Sequence, residues 1–297
     1  MGRVQTNGVE IEYEVDGDPG DPTLLLVSGL GGQLIGWDDG FVELLIARGF
    51  RVVRFDNRDA GLSTKCTGDG AAILKALFTG TLAPSGGAIP YTIEDMADDA
   101  IGLMDALSID AAHLVGISMG GMIAQAMAAH NPGRARSLCS LMSTTGAPGV
   151  ADSQPGILEA LASPPAPDAA GRLAQGIAAA RLIGSQGTLF DEDRVRTKVV
   201  RELQRCDCPA GVARQLLAIV ASGDRTDAVA KIAVPTVVVH GSADPLVPLG
   251  GGEATARTIG GAQLLVIDGM GHDLPVQVWE RVANAVCDNA ARAGAFR

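Results

Sequence analysis

The segment Gly116-Ile117-Ser118-Met119-Gly120 has the residue types and spacing needed for nucleophilic chemistry. An apolar strand-type run precedes it, and a helix-type run follows it. A serine flanked by glycines between a strand and a helix is typical of a nucleophile elbow. The sharp turn holds the hydroxyl at the end of the strand, where free N–H groups of the next helix can stabilise a developing oxyanion. Ser118 is therefore the candidate nucleophile. The alternative is a glycine-rich turn that happens to contain a serine.

A serine hydroxyl needs a base to accept its proton, and the chain has four histidines. His113, His130 and His240 lie within predicted strands and helices or at their ends, whereas His272 lies in a glycine-rich loop directly after the last predicted strand. Active sites in open α/β sheets collect at the carboxyl ends of the strands. The sequence therefore predicts His272 as the general base for Ser118.

The imidazole needs an acidic group to orient it, and Asp244 is the candidate. It lies in the segment Gly241-Ser242-Ala243-Asp244-Pro245, which follows another predicted strand and reaches the same edge of the sheet. A turn or a helix cap is the alternative role for this aspartate. Asp268 is a rival, but it is so near His272 in sequence that it reaches the far imidazole nitrogen with difficulty.

Two backbone N–H groups should bind the carbonyl oxygen when it becomes an oxyanion. One is expected at Met119, the residue after the nucleophile, and the other at Leu30, in the loop after an apolar strand. Each donor could stabilise the transition state by about 3 kcal/mol. Gly29, Gly31 and Gly32 would let this loop turn its amides inward, although a flexible surface loop is the alternative.

Strand-type and helix-type segments alternate around these residues. Seven segments have strand patterns: residues 9–15, 23–27, 51–55, 112–115, 137–142, 236–239 and 263–267. Helices are predicted at residues 37–48, after Ser118, and from Val276 to the last part of the chain. Another is predicted to begin at Thr92, where Thr92 and Asp95 can form a capping box. Continuous apolar strands separated by helices favour an α/β fold with a mostly parallel sheet and helices on both faces.

The alternation stops between residues 144 and 227. Four helices are predicted there: residues 156–161, 169–183, 192–204 and 212–221. We interpret this segment as a helical lid inserted into an α/β core, and we call it the predicted lid. The core then comprises residues 1–143 and 228–297. Two long crossover helices with decorated loops are the alternative. A second long connection, residues 64–90, is irregular, as functional or mobile connections often are.

The composition excludes several classes of partner. The chain has 297 residues, of which 47% are hydrophobic, so it can form one large domain. A net charge of −11 and 3% aromatic residues provide no basic groove or stacking surface for nucleic acid. No signal-type or membrane-spanning run occurs, so a cytoplasmic protein without membrane contact is expected.

The five cysteines have no regular spacing and are expected to be free thiols. Cys206-Asp207-Cys208 could suggest a metal site, but no second pair of Cys or His residues stands at ligand spacing. We therefore expect ordinary thiols in a reducing compartment and no bound metal.

Five segments of the chain resemble the α/β-hydrolase superfamily: residues 24–32, 56–63, 116–120, 241–245 and 269–272. The order Ser118, Asp244, His272 is also that of the superfamily. Residues 28–32, 55–63 and 116–120 are similar to those of the aclacinomycin methylesterase group of small carboxylesterases, although many relatives begin the first of these loops with His-Gly rather than Ser-Gly. The resemblance implies an α/β-hydrolase fold with an eight-stranded sheet. It also implies a structural role for the turn at residues 56–59, with a second catalytic carboxylate as the alternative.

The resemblance implies hydrolysis of a carboxylic ester by a Ser118-His272-Asp244 triad, with water as the second substrate and no metal or organic cofactor. Apolar patches in the predicted lid favour a hydrophobic small molecule, and a monomer or homodimer is expected. The same residues could instead carry out carbon–carbon bond hydrolysis, lactone opening or perhydrolysis. A non-catalytic ligand-binding protein is a third possibility.

Overall fold

A computed structural model describes residues 1–70, 72, 89–161 and 163–294, so most of the irregular connection predicted at residues 64–90 lies outside the described residues. Its sheet has eight strands in the order β1-β2-β4-β3-β5-β6-β7-β8. They are β1 (Gly2–Thr6), β2 (Val9–Asp16), β3 (Thr23–Val27), β4 (Arg51–Phe55), β5 (Ala112–Ile117), β6 (Ala135–Leu141), β7 (Thr236–Gly241) and β8 (Gln263–Ile267). Strand β2 pairs antiparallel with β1 and β4, and the other pairs are parallel. The predicted fold class is confirmed.

The described residues form ten α-helices. They are α1 (Asp39–Ile46), α2 (Ile93–Ala106), α3 (Met119–His130), α4 (Ile157–Leu161), α5 (Ala169–Ile183), α6 (Glu192–Arg205), α7 (Pro209–Ser222), α8 (Thr226–Val229), α9 (Leu249–Thr258) and α10 (Trp279–Ala291). Helix α1 is shorter than predicted, and the segment Val276–Val278 is a 3₁₀ turn before α10. Helices α4 to α8 lie between β6 and β7, within or at the end of the predicted lid. The division into core and lid stays a prediction.

Strand β3 illustrates how the sheet forms two hydrophobic cores. Because successive side chains of a strand point to opposite faces, Leu25 and Val27 pack with residues of α2 and α3. Leu24 and Leu26 pack on the other face, with residues of α1 and α10. All four side chains are fully buried. The central strands are therefore held from both sides, which fixes the positions of the loops at their carboxyl ends.

The start of α2 follows the predicted capping box. Thr92 Oγ1 accepts a hydrogen bond from the Asp95 N–H at 3.3 Å, and an Asp95 carboxylate oxygen accepts from the Thr92 N–H at 2.8 Å.

All five cysteines are free thiols, as predicted. In the part of the chain that the structure describes, no helix has the length and apolar character to cross a bilayer.

Candidate active site

Ser118 lies at the turn between β5 and α3, as the sequence predicts. Its φ of 55° and ψ of −120° fall in a region that non-glycine residues rarely adopt. Its N–H donates to the Leu141 carbonyl at 2.9 Å, which ties the turn to the end of β6. A Cβ on Gly120 would lie only 2.1 Å from the Val27 carbonyl oxygen, so a glycine is required where β3 passes. The strained turn is therefore held by packing from both neighbouring strands.

The structure brings Ser118, His272 and Asp244 together in one hydrogen-bonded series. The Ser118 Oγ atom lies 2.9 Å from His272 Nε2, and His272 Nδ1 lies 2.7 Å from an Asp244 carboxylate oxygen. Since an ionised carboxylate can only accept, Nδ1 carries the imidazole proton and Nε2 is free to accept from the serine hydroxyl. This arrangement can transfer a proton from the hydroxyl to the imidazole during nucleophilic attack.

The loops after β7 and β8 place the two partners of Ser118. The Ala243 N–H donates to the Met270 carbonyl at 3.0 Å, so the loops that carry Asp244 and His272 are bonded to each other. The second carboxylate oxygen of Asp244 accepts from the N–H groups of Leu246, at 3.0 Å, and Val247, at 2.9 Å. With its side chain fully buried, Asp244 is fixed in orientation by these donors.

A second histidine, His240, lies beside the Asp244 carboxylate. Its Nε2 donates to the Val247 carbonyl at 2.7 Å and is 3.6 Å from the carboxylate oxygen that His272 contacts. Burial lowers the pKa of His240, which favours the neutral ring. The ring thus supports the Asp244 loop through Val247. The sequence placed His240 only at the end of a strand, and nothing in the sequence around it indicates this contact.

Leu30 and Met119, the expected oxyanion-hole residues, belong to the two segments that adjoin the nucleophile. Met119 is the first residue of α3 and is buried, and Leu30 lies in the loop after β3. A Cβ on Gly29 would be 3.3 Å from the Ser118 Cβ, so this loop packs directly against the nucleophile. Among the described residues, neither the Leu30 nor the Met119 N–H has a hydrogen-bond partner. Both are therefore available to a ligand.

The turn at residues 56–59 binds other parts of the chain. Asp56 accepts from the Leu34 and Leu62 N–H groups, each at 2.7 Å, and forms an ion pair with Arg205 of α6 at 2.7 Å. Arg58 makes a buried ion pair with Asp99 of α2 at 2.6 Å. These contacts fit the structural role that the sequence analysis favours for the turn.

The other residues considered as the base or the orienting acid have different contacts or positions. His113 is buried in β5, and its Nδ1 lies 2.8 Å from Ser137 Oγ. Asp268 accepts from Ser242 Oγ at 3.0 Å, and His130 ends α3. Within residues 1–70, 72, 89–161 and 163–294, no three His, Cys, Asp or Glu side chains are grouped so that they could hold a metal ion.

Comparison with known proteins assigns the family. The model of the family described as alpha/beta hydrolase fold matches residues 22–277. The chain belongs to this family. This α/β hydrolase is 27% identical over 291 residues to rhodomycin D methylesterase from Streptomyces peucetius and 29% identical over 294 residues to that from Streptomyces sp. (strain C5), with 91% of each chain covered in both comparisons. The predicted resemblance to small methylesterases is confirmed.

Solved structures agree with the family assignment. The enol-lactonase from Burkholderia xenovorans LB400 matches this α/β hydrolase with a TM-score of 0.75 and 25% identity, covering 98% of this chain and 100% of that chain. A meta-cleavage product hydrolase from Pseudomonas fluorescens IP01 matches with a TM-score of 0.76 and 20% identity, over 99% of this chain and 98% of that chain. The second likeness bears on the fold alone.

Proposed function

We propose that this α/β hydrolase cleaves a carboxylic ester of a hydrophobic small molecule through an acyl-enzyme. The hydrogen-bonded series from Ser118 through His272 to Asp244 carries the proposal. The two methylesterase relatives support an ester as the substrate. Val212 of α7 supports a hydrophobic substrate, because this apolar side chain is 38% exposed and lies beside the loop that contains Leu30.

In the first half-reaction, Ser118 Oγ attacks the ester carbonyl carbon while His272 Nε2 accepts the hydroxyl proton. Asp244 holds the Nδ1–H tautomer and stabilises the imidazolium that forms. The backbone N–H groups of Leu30 and Met119 bind the tetrahedral oxyanion. The intermediate then collapses, and His272 returns the proton to the departing alcohol. Water repeats the sequence on the acyl-enzyme, releasing the acid and restoring Ser118.

The test is the Ser118→Ala variant, assayed with p-nitrophenyl esters. Removal of the nucleophile should lower kcat by about 10⁶-fold, because the other members of a triad cannot replace it. The wild-type protein should react with a fluorophosphonate at one site per chain, and the variant should not. Equal melting temperatures would show that the variant is folded. A folded Ser118→Ala variant with wild-type activity would refute the proposal.

Lactone opening is the second candidate, favoured by the likeness to the enol-lactonase over nearly the full length of both chains. The same residues would act on a cyclic ester, so matched methyl esters, larger esters and lactones should be compared by kcat/KM. Selectivity for lactones would replace the first proposal with the second. A non-catalytic ligand-binding protein would hydrolyse none of these substrates and resist labelling by the fluorophosphonate.

The expected monomer or homodimer, cytoplasmic location and absence of nucleic-acid and membrane partners stay predictions.

A further inference from the structure

The predicted lid is hydrogen-bonded to the loop that contains Leu30. Gly31 has a φ of 67°, and its N–H donates to Oε1 of Gln215 on α7 at 2.7 Å. The Gln215 Nε2 donates to the Arg58 carbonyl at 2.7 Å. The Gln215 side chain is fully buried. A single amide therefore links α7 to this loop and to the turn after β4.

Two hydrogen bonds fix the peptide groups on either side of Leu30. The Gly32 N–H donates to the Gly29 carbonyl at 3.0 Å, which sets the plane of the peptide between Gly29 and Leu30. In a trans peptide the N–H points away from the C=O, so this bond also sets the direction of the Leu30 N–H. The bond from Gly31 to Gln215 sets the next peptide plane. Together they leave little rotational freedom at Leu30.

Helix α7 holds Gln215 in place through its own contacts with the core. The neighbouring Arg214 forms a buried ion pair with Asp59, with nitrogen–oxygen distances of 2.6 and 2.8 Å. Leu217 and Ala218 on the same helix are fully buried. The Gly31 N–H thus donates to a side chain that is anchored to the core through α7, and not to one that could move with the loop.

We infer that Gln215 is a positioning residue for the oxyanion hole, holding the Leu30 N–H in the direction required to bind the oxyanion. The inference rests on the proposed function. Oxyanion stabilisation depends on donors that are oriented before the reaction begins. Gly31 has no Cβ and can adopt many backbone conformations, so the loop needs an external contact to keep the productive one.

The test compares three variants with the wild-type protein. Gln215→Met is similar in length and removes both hydrogen bonds. Gln215→Glu keeps an acceptor oxygen for the Gly31 N–H and, when its carboxyl is protonated, a donor for the Arg58 backbone carbonyl. Arg194→Met is the control, because it breaks other contacts between the predicted lid and the core without touching the loop that contains Leu30. These contacts are the ion pair with Asp38 at 2.5 Å and the hydrogen bond to the Leu274 carbonyl at 3.1 Å.

The measurements are kcat and KM for p-nitrophenyl acetate, the affinity for phenylboronic acid, and amide hydrogen exchange of residues 28–34. Phenylboronic acid forms a tetrahedral adduct with a reactive serine and so reports on the oxyanion hole. Gln215→Met should lower kcat by about 10- to 100-fold with little change in KM, since a misdirected donor costs less than a missing one. It should also weaken boronate binding and speed exchange of the loop. Gln215→Glu should recover most of the kcat, and Arg194→Met should keep it.

The outcomes separate this inference from the proposed function. A wild-type protein that hydrolyses no ester would refute the proposed function and the inference with it. An active wild-type protein whose Gln215→Met variant keeps its kcat and loop protection would refute the inference alone. Equal losses of kcat in Gln215→Met and Arg194→Met would also overturn it, since the effect would then come from docking of the predicted lid as a whole.

Discussion

The orientation of the His272 imidazole depends on one carboxylate. Asp244 accepts hydrogen bonds from His272 Nδ1 and from two backbone N–H groups, and its side chain is buried. The imidazolium that forms during proton transfer would have no other carboxylate in contact among the described residues. Loss of Asp244 should therefore remove both the correct tautomer and the charge that balances the imidazolium.

Replacement of Asp244 by alanine should lower kcat by about 10⁴-fold for the ester that the wild-type protein hydrolyses best. The matched control is Asp268→Ala, which removes the rival carboxylate from its hydrogen bond with Ser242 and should leave kcat nearly unchanged. Steady-state kinetics and melting temperatures of both variants check this prediction. A larger loss in Asp268→Ala would make Asp268 the orienting acid.

The sequence predicts the residues of the candidate site that lie in local patterns. Ser118 has its glycine-flanked turn, and Asp244 and His272 follow apolar strands directly. His240 and Gln215 have no such pattern, because their contacts come from residues brought close only by the fold. A glutamine within an apolar helix, such as Gln215 in α7, is visible in the sequence, but its partner Gly31 is 184 residues away.

At the scale of elements, apolar strands are predicted most accurately. Strands β3, β4 and β8 have the predicted bounds. Strand β3 is apolar after Thr23 and buried along its whole length, as expected for a strand covered on both faces. Helix α9 is not predicted, since it contains three successive glycines, which disfavour helices. The fold requires a small residue there: a Cβ on Gly252 would lie 2.4 Å from His240 Nδ1. Tertiary packing has overridden local propensity.

The predicted lid also contacts the loop that carries His272. The His272 N–H donates to the Ile183 carbonyl at 2.7 Å, and the Gly271 N–H donates to Ser185 Oγ at 2.9 Å. The Ser185 hydroxyl in turn donates to the Asp273 carboxylate at 2.5 Å. Ser185, just after α5, therefore supports the backbone on both sides of the imidazole.

The Ser185→Ala variant should lower both stability and kcat. A buried N–H on Gly271 would lose its acceptor, at a cost of about 1–3 kcal/mol in the free energy of unfolding. Ser222→Ala is the matched control, because it removes a similar hydrogen bond, from the Ile93 N–H at 3.0 Å, at a place far along the chain from His272. Urea unfolding and kcat should be measured for both. If kcat falls equally in the two variants, the contact with Ser185 has no special role at the site.

The stability of the whole molecule should depend on the pH through a buried histidine. His113 lies in the sheet between the two hydrophobic cores, with its ring edge-on to Phe50 at 5.9 Å between ring centres. Burial, with the nearby charge of Arg136, lowers the pKa of His113 from 6.5 to about 4. The unfolded chain therefore binds a proton at this residue at a higher pH than the folded protein does.

Because the folded pKa lies below the unfolded one, this residue should destabilise the protein as the pH falls from about 6.5 to about 4, by about 3 kcal/mol in total. Below that range both states are protonated, and the effect stops growing. His113→Asn can keep the hydrogen bond to Ser137 but cannot titrate, so it should lose less stability between pH 7 and pH 4.5. Urea unfolding at the two pH values checks this. Identical losses in both proteins would contradict it.

The predicted lid accepts two hydrogen bonds, from the Gly31 N–H and the Gly271 N–H, and they constrain how this enzyme could be re-engineered. A chimera that received residues 144–227 from another family member, to change its substrate range, would also exchange Gln215 and Ser185. Unless the introduced segment supplied equivalent hydrogen-bond acceptors at both places, the chimera should bind its new substrate but turn it over slowly. Libraries that keep Gln215 and Ser185 and vary their neighbours should yield more active variants than libraries that also vary these two residues.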